Sequence, residues 1–231
     1  MANLLKKFLL KIRYFKDGRI LKIHQVKIKK KWFGNSYGGF YLNTKDLNSK
    51  SIVYSIGIGT DASFDLELIN TFNCQIYGFD PTPKSIRWVK ENIDSRKFKM
   101  SKFGISSFSG KKEFYLPKNQ NHVSGSLISI KTVDKKDSIF LEFKTLDEAM
   151  KSNNHKYLDL LKMDIEGAEY DVIENILNKS IKINQIVVEF HPHLIKNGRK
   201  KTQDIILKLN QKGFKCFGIS DTFLEYSFLK A

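Results

Sequence analysis

The chain has 231 residues, with 40 Lys+Arg against 24 Asp+Glu, a formal charge of +16, 41% hydrophobic and 13% aromatic content. That length suits one domain with its own core, and 14 Gly with 4 Pro at this apolar content exclude disordered, collagen-like and low-complexity chains. No apolar run approaches the roughly 18 residues that suggest a membrane span, and two distant cysteines, Cys74 and Cys216, indicate neither a disulfide framework nor a zinc module.

Residues 1–31 hold eleven basic side chains and one acid, Asp17, so +10 of the charge lies there and +6 in the remainder. Leu4, Leu5, Phe8, Leu9 and Ile12 recur at helical spacing, with Lys6, Lys7, Lys11 and Arg13 at other angles, which predicts a short cationic amphipathic helix. Three readings compete for it: packing on its own domain or on a second copy in a homo-oligomer, an interfacial helix on anionic lipid through residues 1–16, and a contact for nucleic acid. Lysines interrupt the apolar residues too often for a signal peptide, so a cytoplasmic protein, peripheral on a membrane's inner face under the lipid reading, is expected. Arg19–His24 and Val26–Lys29 alternate apolar and polar and predict a small hairpin. This basic arm, residues 1–50, is expected to precede a separate domain at 51–231.

From residue 51 short apolar strands alternate with helical segments, as in a βαβ sheet. Strand 51–56 and helix 61–72 come first, then strand 75–79, helix 83–93 and strand 97–102. Residues 104–144 break the alternation, with strands expected at 113–116, 127–130 and 139–143 around a polar loop. Alternation resumes with helix 146–151, strand 157–163, helix 168–177, strand 185–190 and helix 200–211. The last two strands, 214–219 and 223–229, are too close for a parallel crossover, so the final strand must run antiparallel.

Gly57-Ile58-Gly59 follows the first strand of this domain and opens a helix, which lets a ligand approach backbone N–H groups. Asp80, 21 residues after Gly59, ends the next strand and suits ribose hydroxyls. Spacing alone leaves NAD and S-adenosylmethionine both open. Asp164-Ile165-Glu166-Gly167 and Glu189-Phe190-His191 stand at two later strand ends, where ligand crevices of open α/β sheets lie. Side chains alternate along a strand, so Lys162 shares a face with Asp164, and Glu189 with His191. Acids beside a histidine suit substrate positioning and proton removal and offer no evident hydride-acceptor pocket.

The stretches 53–65, 78–83, 161–169 and 187–191, in that order, resemble the FkbM family of S-adenosylmethionine-dependent methyltransferases. The resemblance implies a class I methyltransferase fold, a Rossmann-like three-layer sandwich with a mostly parallel seven-stranded sheet and an antiparallel C-terminal strand. It also implies S-adenosylmethionine as cofactor and methyl transfer to a hydroxyl of a sugar, glycan or related small molecule. On this reading Ser55, Gly57, Gly59, Asp61, Phe64, Asp65, Asp80, Pro81, Gly104, Ile105 and Asp164 line the cofactor site. Many such enzymes carry an acid where this chain has Ser55, which leaves Asp61 or Asp65 to meet the methionine amino group.

His191, titrating near neutrality, is the first candidate for a general base and Asp164 the second, with Glu166 and Glu189 beside them. The structural alternative has Asp164 and Glu166 capping the next helix. Tyr37, His122, Ser124, Ser126, Lys162 and His193 are candidates for acceptor contacts, Tyr37 by stacking on a sugar face. The carboxylates and histidines could hold a hard divalent ion, yet no dedicated ligand spacing is present and no metal requirement is expected. An RNA methyltransferase and a non-catalytic module docked through the basic arm are the competing readings; the modest charge outside the arm weighs against nucleic acid.

Overall fold

A computed structural model describes residues 21, 23–117 and 133–231. The expected helix within 1–16, the strand at 127–130, and His122, Ser124 and Ser126 lie outside the described residues.

The central sheet has seven strands: β3 (Ile52–Ile56), β4 (Gln75–Phe79), β5 (Phe98–Ser101), β9 (Leu158–Met163), β10 (Ile183–Glu189), β11 (Phe214–Ile219) and β12 (Glu225–Lys230). Their order is β11-β12-β10-β9-β3-β4-β5. β5, β4, β3, β9 and β10 pair in parallel, and β12 inserts antiparallel between β10 and β11. The short link from β11 to β12 leaves no length for a helix crossover, so the reversal is forced. This is the class I methyltransferase fold. The parallel strands are buried on both faces and read accordingly as apolar runs, Val53, Tyr54 and Ile56 in β3 and Ile186, Val187 and Val188 in β10.

Helices α1 (Ser63–Phe72), α2 (Pro83–Asn92), α3 (Leu146–Ser152), α4 (Glu169–Asn178) and α5 (Gly198–Gln211) flank the sheet. Pro83 opens α2, where its missing N–H costs nothing. Asn73, in the left-handed conformation, returns its N–H to the Ile69 carbonyl and ends α1. A second sheet orders β6 (Gly104–Ile105), β8 (Val133–Lys144) and β7 (Gly110–Pro117), with β7 and β8 as a long antiparallel pair.

The alternation at 19–29 predicted a hairpin, but among the described residues 23–30 carry no strand. The hairpin is instead β1 (Lys31–Phe33) with β2 (Phe40–Leu42). The preceding segment makes one backbone contact to the β11 edge, Val26 N–H to the Cys216 carbonyl at 2.8 Å. Phe33, Phe40 and Leu42 share a buried cluster with Val53, Phe64, Leu160 and Val187, while Leu21 joins the cluster on the other face. Asn43 and Gln185 exchange two hydrogen bonds, at 2.8 and 3.1 Å. The expected division at residue 50 therefore separates no independent core.

Candidate active site

The cavity lies at the carboxyl ends of β3, β4, β9 and β10, where the order of connection reverses and neighbouring loops diverge. Its floor is the turn after β3. Gly57 (φ +77°) and Gly59 (φ +60°) both occupy left-handed backbone. A Cβ on Gly57 would stand 1.7 Å from the Asp164 carbonyl oxygen, so only glycine lets the ends of β3 and β9 meet there.

Asp80 is buried and braces this turn. Its Oδ2 accepts the Ile58 and Gly59 N–H groups at 3.1 and 3.0 Å, and its Oδ1 accepts the Thr82 N–H and hydroxyl at 2.9 and 2.6 Å. A carboxylate has about four acceptor directions, and all are in use. Contact with a ribose therefore requires exchange of one partner, and the Thr82 hydroxyl, which can rotate, is the one free to leave. The same bonds separate the two cofactors left open by spacing. A dinucleotide would bring its pyrophosphate to these N–H groups and against the Asp80 charge, whereas S-adenosylmethionine has no phosphate, so the residues present fit it better.

Behind the turn, Ser55 and Asp65 are buried, and neither Ser55 Oγ nor Asp65 Oδ1 has a partner with hydrogen-bond geometry. Burial pushes the Asp65 carboxyl up to about 6, opposed by the Lys162 charge and Ser55. Lys162 is itself buried and donates from Nζ to the Gly57 carbonyl. This lysine, assigned to the acceptor in sequence, thus also holds the glycine turn. Asp65 faces the cavity as a candidate for the methionine amino group. Asp61 faces it too but is committed to the Ser63 N–H at 2.8 Å and the Asn35 amide at 2.6 Å. Phe64, Pro81, Gly104 and Ile105 line the cavity as well. The sequence reading missed three aromatic members of the wall, Phe79, Phe114 and Phe143; the last two come from the second sheet, whose position no local pattern reveals.

The other wall is charged. His191 is only 4% exposed. Its Nε2 lies 3.7 Å from Asp164 Oδ1, 3.7 Å from Glu166 Oε2 and 3.6 Å from Glu189 Oε1. Its Nδ1 lies 3.3 Å from Glu169 Oε1, which also accepts the His191 backbone N–H at 2.8 Å. Glu169, fully buried, accepts the Gly167 N–H through its other oxygen at 2.8 Å. It stands in the quoted motif, yet the sequence reading gave it no role; an acid in the first turn of a helix reads as an ordinary dipole partner. At the helix start, Ala168 begins α4 with no side-chain cap of its own, and the Gly167 N–H beside it is taken by Glu169.

Burial alone would lower the His191 imidazole, but Glu169 foremost, then Asp164 and Glu166, hold it well above its ordinary 6.5. The acids around the imidazole favour its protonated form, which weighs against His191 as the first base and brings Asp164 forward. Burial and the Asp164 charge push Glu189 up to about 8, with His191 opposing. Tyr37 stands at the cavity mouth, 82% exposed, on a turn whose N–H groups at Tyr37 and Gly38 are held by Asn35 Oδ1 at 2.7 and 2.8 Å. His193 is exposed, with its ring 5.9 Å from that of His191, and does not line the cavity.

The sequence pattern of the methyltransferase FkbM domain matches residues 51–216. The chain belongs to the FkbM methyltransferase family. It is 26% identical over 154 residues to the human probable methyltransferase-like protein 24, covering 63% of this chain and 34% of that protein. It is 25% identical over 157 residues to the hexuronic acid methyltransferase AglP of Haloferax volcanii, covering 64% of this chain and 59% of that protein. The chain thus spans about a third and about three-fifths of the two curated relatives. Among solved structures, a methyltransferase FkbM from Methylobacillus flagellatus aligns with a TM-score of 0.49 at 10% identity, over 79% of this chain and 44% of that one.

Proposed function

We propose that this FkbM-family chain is an S-adenosylmethionine-dependent O-methyltransferase acting on a hydroxyl of a sugar, glycan or related small molecule. The observation that carries the reading is one cavity with two unlike walls: a glycine turn braced by Asp80, and a cluster of acids around His191. The likeness to a hexuronic acid methyltransferase supports a carbohydrate acceptor.

Bound S-adenosylmethionine supplies a methyl group on a positively charged sulfur that is a good leaving group. The chain's own work is to hold the acceptor and remove its proton. Tyr37 offers an exposed ring for the apolar face of a sugar, and the acids accept hydrogen bonds from its hydroxyls. The acceptor proton passes to a carboxylate of the cluster, Asp164 being the member beside the glycine turn. His191, anchored by Glu169, holds the carboxylates in place. Positioning supplies much of the acceleration, since holding an oxygen in line with the methyl carbon is worth about 7–11 kcal/mol when alignment is good.

Calorimetry with S-adenosylmethionine and NAD is the first test. Saturable binding of the former alone is expected; binding of NAD alone would replace the methyltransferase reading with a dehydrogenase. The acceptor is tested by incubation with hexuronic-acid-containing glycans and mass spectrometry for the gain of one methyl group. The basic arm is the proposed peripheral contact with anionic lipid, consistent with no helix among the described residues being long and apolar enough to cross a membrane. Removal of residues 1–16 should reduce binding to anionic vesicles and leave cofactor binding intact.

A further inference from the structure

The charged wall continues past β10 onto β12. Glu189 and Glu225 are register partners in the antiparallel pairing of those strands. Residues so opposed project from one face with their Cβ atoms about 4.5–5.5 Å apart, and like charges there repel. Water does little to screen them, since Glu225 is 6% exposed and the Glu189 side chain 18%.

Glu225 is the fixed member of the pair. It closes the turn between β11 and β12: the Ser220 N–H donates to its carbonyl at 3.0 Å, and the Ser220 and Thr222 hydroxyls both donate to its Oε2. Donors aimed at a carboxylate favour its ionised form. Glu189 has different surroundings. It faces Asp164 and Glu166 from the turn after β9, His191 from its own strand end with Glu169 of α4 behind it, Glu225 from β12 and the Tyr37 phenol from the β1–β2 turn. The His191 Nε2, at 3.6 Å, is too far from it for a hydrogen bond and is shared with Asp164 and Glu166. Lys162 stands one pleat deeper on the same face, with its charge set against Asp65 of α1. Carboxylates crowded beside so little positive charge do not all ionise, and the proton stays on the one whose ionised form is least supported.

We propose that Glu225 is a positioning residue: its charge keeps Glu189 in the proton-bearing form, and the Glu189 carboxyl donates a hydrogen bond into the acceptor end of the cavity. The direction of the Glu189 shift agrees. Burial and then the Asp164 charge push its carboxyl up to about 8, with Glu225 and Glu166 adding to them and His191 opposing. Neighbouring carboxyls held at different proton affinities can divide acid from base within one site. Asp164 takes the acceptor proton, and Glu189 gives a hydrogen bond to a second oxygen of the same molecule. That role rests on the methyl-transfer reading; the protonation of Glu189 does not.

The test is a pH titration of the ¹³C-labelled full chain, read by NMR of the side-chain carboxyl carbons, with the Glu189 signal identified by its loss in Glu189→Gln. In the parent Glu189 should titrate near pH 8, well above its ordinary 4.5. Glu225→Gln keeps an oxygen for the two hydroxyls and removes the charge, so the midpoint should fall by at least about 1 pH, a tenfold loss of proton affinity. Glu225→Asp keeps the charge and draws it back, and its midpoint should lie between the two. A role confined to closing the turn would leave all three alike. Glu174→Gln, which removes an acid on α4 paired with Lys208 outside the cavity, should titrate as the parent does. Circular dichroism confirms the fold of each variant, and Glu225→Asp carries the test where Glu225→Gln fails to fold. A parent in which Glu189 titrates near 4.5, or equal midpoints in the parent and the folded Glu225 variants, overturns the proposal. Calorimetry with S-adenosylmethionine on the same samples keeps the two readings apart. A chain that binds the cofactor with an ordinary Glu189 sinks this inference alone; a chain with a raised Glu189 and no cofactor binding sinks the methyltransferase reading alone.

Discussion

Asp80 and the acids around His191 sit on the same edge of one sheet, at or just past the ends of their strands, and their electrostatic situations are opposite. Asp80 has four donors for one carboxylate, three of them backbone N–H groups of the chain that surrounds it. Asp164, Glu166 and Glu189 converge on a single imidazole nitrogen and hydrogen-bond it at none of the three distances. A carboxylate satisfied by its own backbone is a brace, whereas carboxylates crowded around one buried imidazole raise the proton affinity of the group. The two walls therefore divide the work: one shapes the cofactor's place, the other handles the acceptor.

The largest effect should come from joining the walls wrongly. Gly57→Ala puts a Cβ into the Asp164 carbonyl and forces a residue with a side chain into φ +77°. A loss of more than about 4 kcal/mol is expected, read by urea denaturation; a variant as stable as the parent would show that β3 and β9 do not meet as described. Next, Asp80→Ala should remove charge-assisted bonds each worth about 1.5–3 kcal/mol, lowering stability and weakening cofactor binding together. His191→Ala should do the reverse in the assay: cofactor affinity within about 3-fold of the parent and turnover lower by about 100-fold or more, the range of a lost acid–base arrangement. Unchanged turnover in His191→Ala would end the acceptor assignment of that wall.

The pH dependence sharpens the same contrast. His191 is raised above 6.5 in the fold, so its contribution to stability is present below that pH and lost as pH rises through the folded value. Glu189, raised from 4.5 to about 8, also favours the protonated fold, and its contribution is lost between those two values. Both signs agree: in metal-free buffer the Tm should fall by several degrees from about pH 6 to about pH 9, and a His191→Gln, Glu189→Gln double variant should show a flatter profile. A parent Tm that rises over this range would contradict the cluster's charge balance. The smallest effect belongs to Tyr37→Ala, on an 82% exposed ring. The acceptor KM should rise several-fold, with kcat, cofactor affinity and Tm unchanged; an unaltered KM removes the stacking role.

Much of the fold was legible because each parallel strand is an apolar run bounded by turn residues and each helix carries its own period. Strand 75–79 and strand 214–219 came out with the bounds the pattern implied, and the short link between the last two strands forced their antiparallel pairing. The hairpin near the start did not. Alternation at 19–29 is a local signal, while the pairing of β1 with β2 follows from burying Phe33, Phe40 and Leu42 against β3 and β10, a long-range gain. Within the site, Gly57, Gly59 and Asp80 were readable from spacing, since one strand-turn-helix unit contains the first two and the next strand ends at the third. Glu169 and the aromatics Phe114 and Phe143 were not, because their roles depend on which distant elements they face.

Taken alone, the sequence determined the element types, the antiparallel last strand and the chemical character of both strand-end motifs, all of which follow from side-chain periodicity and chain length. Only the tertiary structure decided that Asp80 is spent on the glycine turn and that Asp164, Glu166, Glu169 and Glu189 surround the His191 imidazole. Protonation state depends on distances of a few ångströms between residues far apart in the chain, and packing alone sets those distances.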